Sequence, residues 1–175
     1  EYRDGILLFE LTDEKVWSKA IKDTTGLKEF YNENKNNYMW DERLDASVYT
    51  IRDSEIVDDV QAKVNEGVSD NEILLLYNND SITNVVIQSD KFLRDDNKII
   101  DSIEWEVGNS KDIINDEELS FVLVREVLPP QIKKMNEARG LIIADYQNYL
   151  EAEWIKLLKE KYNVKINKKV FSKLE

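Results

Sequence analysis

The chain has 175 residues, of which 42% are apolar and 10% aromatic, with two Pro and five Gly, enough to bury one core or one core with an appended helical layer. Its formal net charge of −12 repels phosphate, which argues against nucleic acid and anionic lipid as partners. The chain lacks both Cys and His, which excludes a disulfide framework and thiolate chemistry and removes the commonest general base and metal ligand.

Residues 2–22 read as an amphipathic helix, with Ile6, Phe9, Val16 and Trp17 near helical spacing and Leu7, Leu8 and Leu11 widening the stripe. Gly5 weakens its first turn by about 1 kcal/mol relative to Ala. The run Asp23-Thr24-Thr25-Gly26 punctuates. It predicts a second helix over 27–36, capped by Thr24 or Thr25, with Leu27, Phe30 and Tyr31 on one face. In 44–51, Leu44, Ala46, Val48 and Thr50 alternate with Asp45, Ser47, Tyr49 and Ile51, the pattern of a strand. A helix over 55–65 turns Ile56, Val57, Val60 and Val64 inward and stops at Gly67. Ser69 and Glu72 form a capping-box pattern ahead of Ile73, Leu74, Leu75 and Leu76, and 78–81 is a turn.

Strands are predicted over 83–93, 99–107 and 119–128, the last broken by Pro129-Pro130. Residues 136–162 then read as a helix roughly 40 Å long, and Val164, Ile166 and Val170 as a short terminal strand or tail. The late strands are contiguous and can pair as an antiparallel meander, which makes the fold class α+β. Ile143, Tyr146, Leu150, Trp154 and Leu157 line one face of the last helix. It is expected to pack on the first helix, because neither buries its stripe alone. The expected divisions are an N-terminal helical segment over 1–40, an α+β domain over 41–130 and a helix with its tail over 131–175. The apolar runs are far shorter than the roughly 20 residues that cross a bilayer, so membrane insertion is not expected. Glu1-Tyr2-Arg3-Asp4 is not a translation start and no signal peptide follows it, so the chain reads as a piece of a longer one.

The candidate binding group is Tyr31, Tyr38, Met39 and Trp40, where a helix gives way to a strand. These side chains either grip a client polypeptide or close the end of the core. Tyr146, Tyr149 and Trp154 pose the same choice between client cradle and interhelical core. The acidic pairs Asp58-Asp59 and Asp95-Asp96 lack the spacing of a calcium loop. No phosphate loop or nucleophile motif is present, so no catalytic residue, metal or cofactor is assigned.

Several stretches together resemble a known family. They are Glu1-Tyr2-Arg3-Asp4-Gly5-Ile6-Leu7-Leu8-Phe9, Val16-Trp17-Ser18-Lys19-Ala20 and Asp23-Thr24-Thr25-Gly26-Leu27. Later in the chain come Val127-Leu128-Pro129-Pro130, Glu137-Ala138-Arg139-Gly140, and Asp145 to Glu151 with Trp154. Segments 1–50 and 119–170 are similar to the C-terminal region of parvulin-type, SurA-like exported peptidyl-prolyl isomerases of Gram-negative bacteria. The resemblance implies a periplasmic location, unfolded or extended polypeptide clients, and a role in folding exported or outer-membrane proteins. It also implies a parvulin-like antiparallel sheet in the middle third, flanked by terminal helices that pack together and by further domains of the same chain upstream. A parvulin groove uses paired His with a Cys or Asp. This chain has neither His nor Cys, so the middle domain is expected to be a degenerate, non-catalytic copy. Two readings compete with a client-binding role: an active but atypical prolyl isomerase, and a structural brace for the parent chain.

Overall fold

The computed structural model describes residues 2–115 and 118–163, so the tail expected at Val164, Ile166 and Val170 lies outside the described residues. In chain order, helix α1 (Tyr2–Thr12), a π-helical turn (Asp13–Trp17) and α2 (Ser18–Lys22) run on into α3 (Thr24–Asn34). Strands β1 (Met39–Trp40) and β2 (Arg43–Ile51) follow, then α4 (Val57–Asn65), α5 (Asp70–Tyr77), β3 (Val85–Phe92) and the short α6 (Lys98–Asp101). Strands β4 (Gly108–Asn109), β5 (Ile113–Asn115), β6 (Glu118–Leu128) and β7 (Gln131–Ile132) lead to α7 (Arg139–Lys161). The chain forms two compact units. Both chain ends, up to Met39 and from Ile132, make the first, and Trp40–Gln131 makes the second. The chain crosses from one unit to the other along β1 and β7, which form a two-stranded sheet.

The helical unit is built on α7. Ile142, Tyr146 and Leu150 recur one turn apart on one face of that helix. They are buried together with Val16, Ala20, Leu27, Tyr38 and Ala138. Each fully buried large side chain here, such as Leu27 or Ile142 at 0% exposure, contributes about 1.5–3 kcal/mol. Asp23, rather than Thr24 or Thr25, caps α3: its Oδ1 accepts the Gly26 amide at 2.9 Å. Its Oδ2 accepts the Tyr146 hydroxyl at 3.1 Å, which ties the start of α3 to α7. These two hydrogen bonds, led by the one from the Gly26 amide, hold the Asp23 carboxyl below its ordinary range.

The first helix does not pack along its whole length. Ser18 N–H bonds back to Asp13 O across the π turn, five residues apart instead of four. The extra residue rotates everything after it by about 100° relative to an uninterrupted helix. Val16 and Ala20 enter the core, whereas no residue of α1 is buried. Up to Leu11 the residues of α1 are exposed on every side of the helix, and it is Val16 and Ala20 that enter the core with α7.

The second unit is an antiparallel sheet in the order β3-β2-β6-β4, with β5 also paired to β6. The late strands do not form a meander, because β2 lies between β3 and β6 and pairs with both over its length. Helices cover both faces. Tyr49, Ile51, Val85 and Phe121 pack with Val57, Val60, Val64 and Ile73 of α4 and α5. Leu44, Ala46, Val48, Phe92, Val122 and Val124 pack with Ile100 of α6. The β2 alternation therefore does not separate a buried face from a wet one.

The segment 99–107, expected as a strand, instead opens with α6. Asn97 Oδ1 accepts the Ile99 amide at 2.8 Å and starts a helical turn, so Ile99, Ile100 and Ile103 follow helical spacing onto the sheet. The capping box at Ser69 and Glu72 is fully formed, and Gly67 ends the preceding turn at φ +81°, a conformation that favours glycine.

A Cβ at Gly26 would collide with the Tyr146 hydroxyl and the Asp23 carboxylate. The variant Gly26→Ala is expected to lose about 1–3 kcal/mol of stability in urea unfolding. Gly5→Ala meets nothing within 4 Å and should gain about 0.5–1 kcal/mol by helix propensity.

Candidate functional site

Tyr31 and Tyr38 are brought together by the fold. Their rings stack at 6.2 Å. The Tyr31 hydroxyl donates to Lys133 O at 2.8 Å and the Tyr38 hydroxyl to Asp145 Oδ2 at 2.8 Å. Tyr38 is only 4% exposed, and burial followed by the Asp145 hydrogen bond pushes its hydroxyl up to about 12. Both rings thus serve as packing for the helical unit. Met39 is 39% exposed, and the Arg43 guanidinium lies 4.4 Å from the Trp40 ring centroid. Tyr146 is core, Trp154 is half-buried against it, and Tyr149 stays half-exposed beside Phe30, 5.4 Å away between centroids.

A further exposed apolar surface of the helical unit lies on α1. Ile6, Leu7, Leu8, Phe9 and Leu11 are 43–62% exposed. Tyr2, Gly5, Ile6, Phe9 and Glu10 line a shallow groove along it. Phe9 meets Trp17 edge to face at 5.3 Å across the π turn, so Trp17 senses what reaches this surface. Apolar residues exposed together in this way form a larger uncovered patch than singly scattered ones do. The sequence pattern contained these residues, but nothing in it reported that they stay uncovered.

In the sheet unit a polar network went unread. The Asp70 carboxylate, in the first turn of α5, accepts the Tyr49 hydroxyl at 2.6 Å, Ser89 Oγ at 2.7 Å and Ser47 Oγ at 3.2 Å. Arg125 donates Nη1 to Ser47 Oγ at 2.6 Å and Nε to Asp45 Oδ1 at 2.7 Å. Burial pushes the Asp70 carboxyl up, but the hydrogen bonds from Tyr49, Ser89 and Ser47 and the Arg125 charge outweigh it and hold it below its ordinary value. Burial, then Asp70, pushes the Tyr49 hydroxyl well up. The network fastens the start of α5 to β2, β3 and β6. Among the described residues no group of three or more acidic side chains is placed to hold a metal ion, and no helix is long and apolar enough to cross a membrane.

No family model matches the chain, and no curated protein matches it. Among solved structures the chain has a distant likeness to one from work on PEB4 and Cj1289, described as structurally related SurA-like chaperones of Campylobacter jejuni. The identity is 14% and the TM-score 0.31, over 94% of this chain and 71% of that one. At that score the description of the fold stands on this chain's own residues.

Asp70→Ala removes the partner of a buried tyrosine hydroxyl and should cost about 1–3 kcal/mol at neutral pH. The Asp70 pKa is depressed in the folded state, so its contribution is complete above the ordinary value of 3.8 and fades as pH falls through the lower folded value. Urea midpoints of wild type and variant should therefore converge in that acid range.

Proposed function

We propose that the chain is a non-catalytic, client-binding part of a parvulin-type, SurA-like exported folding factor, working in the periplasm on unfolded or extended polypeptides. The observation that carries this reading is the uncovered apolar surface of α1, which offers Ile6 and Phe9 along one groove, where Phe9 meets Trp17 edge to face. Weak, multisite holding of apolar and aromatic segments needs such a surface, and a net charge of −12 keeps the loaded complex soluble.

Support also comes from the sequence resemblance of both chain ends to that family. The sheet unit runs strand, two helices, strand, short helix, then strands. Its four-stranded antiparallel path suits a degenerate parvulin domain. The missing His and Cys fit a copy without isomerase activity, and any active copy belongs to another part of the parent chain. Met39 and Trp40 are proposed as separate client contacts. The packing of Tyr31 and Tyr38 favours a bracing role for those two.

Fluorescence titration tests the proposal, with an aromatic-rich unfolded outer-membrane peptide and a charge-matched polar peptide as control. The aromatic peptide should saturate the signal with a Kd near 1 μM, or about −8 kcal/mol, and the polar peptide should leave it unchanged. Trp17→Phe should abolish most of the change. The exposed substitutions Ile6→Ser with Phe9→Ser should weaken affinity about tenfold, which is about 1.4 kcal/mol. Equal affinity in that double variant, or no binding of either peptide, overturns the reading.

A further inference from the structure

The sheet unit carries a second recess, unrelated to the polar network. It holds about 470 Å³ and lies beside β4, between the loop that follows α6 and the break that separates β4 from β5. Its floor is apolar, made by Ile103, Ile113 and Val124, the last 2% exposed. At its mouth Val107 is 71% exposed.

Two local causes hold the recess open. Trp105 is drawn inward, its Nε1 donating to Ile100 O at 3.1 Å and its ring lying 3.7 Å beneath the Arg94 guanidinium. Its sequence neighbours Glu104 and Glu106 are thereby set on the rim, both exposed. On the opposite wall the edge strand is interrupted. Ser110 takes over the ladder to β6, with its N–H donating to Val122 O at 2.8 Å and its Oγ accepting the Val122 amide at 2.9 Å. The loop after β4 is tied to α4 by Gln61 Nε2 donating to Asp112 Oδ1, and β4 itself by Asn109 Nδ2 donating to Asn65 Oδ1, both at 2.7 Å.

We infer that this recess receives an extended polypeptide segment in which a lysine or arginine adjoins an aliphatic side chain. The inference rests on the reading that the chain takes polypeptide clients, and it gives them a second, charge-selective contact. Charge complementarity selects the occupant. Three carboxylates (Glu104, Glu106 and Asp112) line the recess against the single cation Lys111. The aliphatic side chain enters the floor and the basic one meets the rim. The position beside β4, at the edge of the sheet, leaves the main chain of an extended segment room to run alongside the strand. An acidic or purely aromatic segment gains nothing from the rim.

The test is an amide chemical-shift titration of the whole chain with a short peptide of valine and lysine, and with the same peptide carrying glutamate for lysine. The lysine peptide should saturate and move the Val107, Ser110 and Ile113 amides, with affinity falling as salt rises. The glutamate peptide should move none of them. Glu104→Gln with Glu106→Gln should weaken the lysine peptide about tenfold, the loss of two close charge pairs. Both side chains are exposed, so an unchanged melting temperature is the check on folding. Val107→Glu should weaken it while leaving the aromatic peptide at α1 untouched. The inference is overturned if the two peptides bind alike, if the Gln variant binds as wild type, or if only amides of α1 move. Loss of the Trp17 response with the recess intact would instead remove the α1 reading and leave this one standing.

Discussion

Strand β2 is the constraint on which the sheet unit depends. It is hydrogen-bonded on both edges, to β3 and β6, and its residues supply two separate cores, one under α4 and α5 and one under α6. A strand in that position tolerates few polar side chains, because each must find a partner away from water. Asp45 and Ser47 are such side chains, and Arg125 with Asp70 satisfies them. The network is therefore a consequence of burying β2 on both faces. It also fixes where α5 begins, and with it the packing of Ile73 under the sheet.

The helical unit follows a different logic. Its core is one face of α7 meeting Val16 and Ala20 together with Leu27 and Tyr38, and the apolar length of α1 is left over. The chain thus presents uncovered apolar surface on a helix whose far end is firmly anchored by Val16 and Ala20. That pairing suits a binding surface. Acidic surroundings then oppose association between copies of the chain.

Much of this was legible from residues alone, where local chemistry decides the outcome. The Ser69–Glu72 capping box, the Gly67 stop, the β-branched run of β2 and the Tyr146–Leu150 part of the α7 stripe each carry their own cause, whereas Leu157 of that stripe is exposed and Ile142, outside it, is buried. What was not legible depends on partners remote in sequence. The π turn at Asp13–Trp17 shifts a face without altering the apolar pattern. The segment 99–107 has the β-branched content of a strand, and only the Asn97 cap and the isoleucine spacing mark it as helical. Spacing leaves Tyr31 and Tyr38 open between client contact and core, because their hydroxyl partners, Lys133 O and Asp145, lie about a hundred residues away in the chain. The α1 surface was visible as an apolar stripe, but its exposure was not, since exposure is set by what α7 fails to cover.

The hydrogen bond from Tyr146 to Asp23 joins positions 123 residues apart, and the whole sheet unit lies between them. This fixes an order of assembly. During synthesis the N-terminal helices emerge long before α7 exists, with most of their apolar residues unburied. The helical unit can close only after the intervening residues have been made. Folding the sheet unit first shortens the disordered loop that must be closed and so lowers its entropic cost. A protein arranged in this way spends its first moments as the kind of chain that it is proposed to hold.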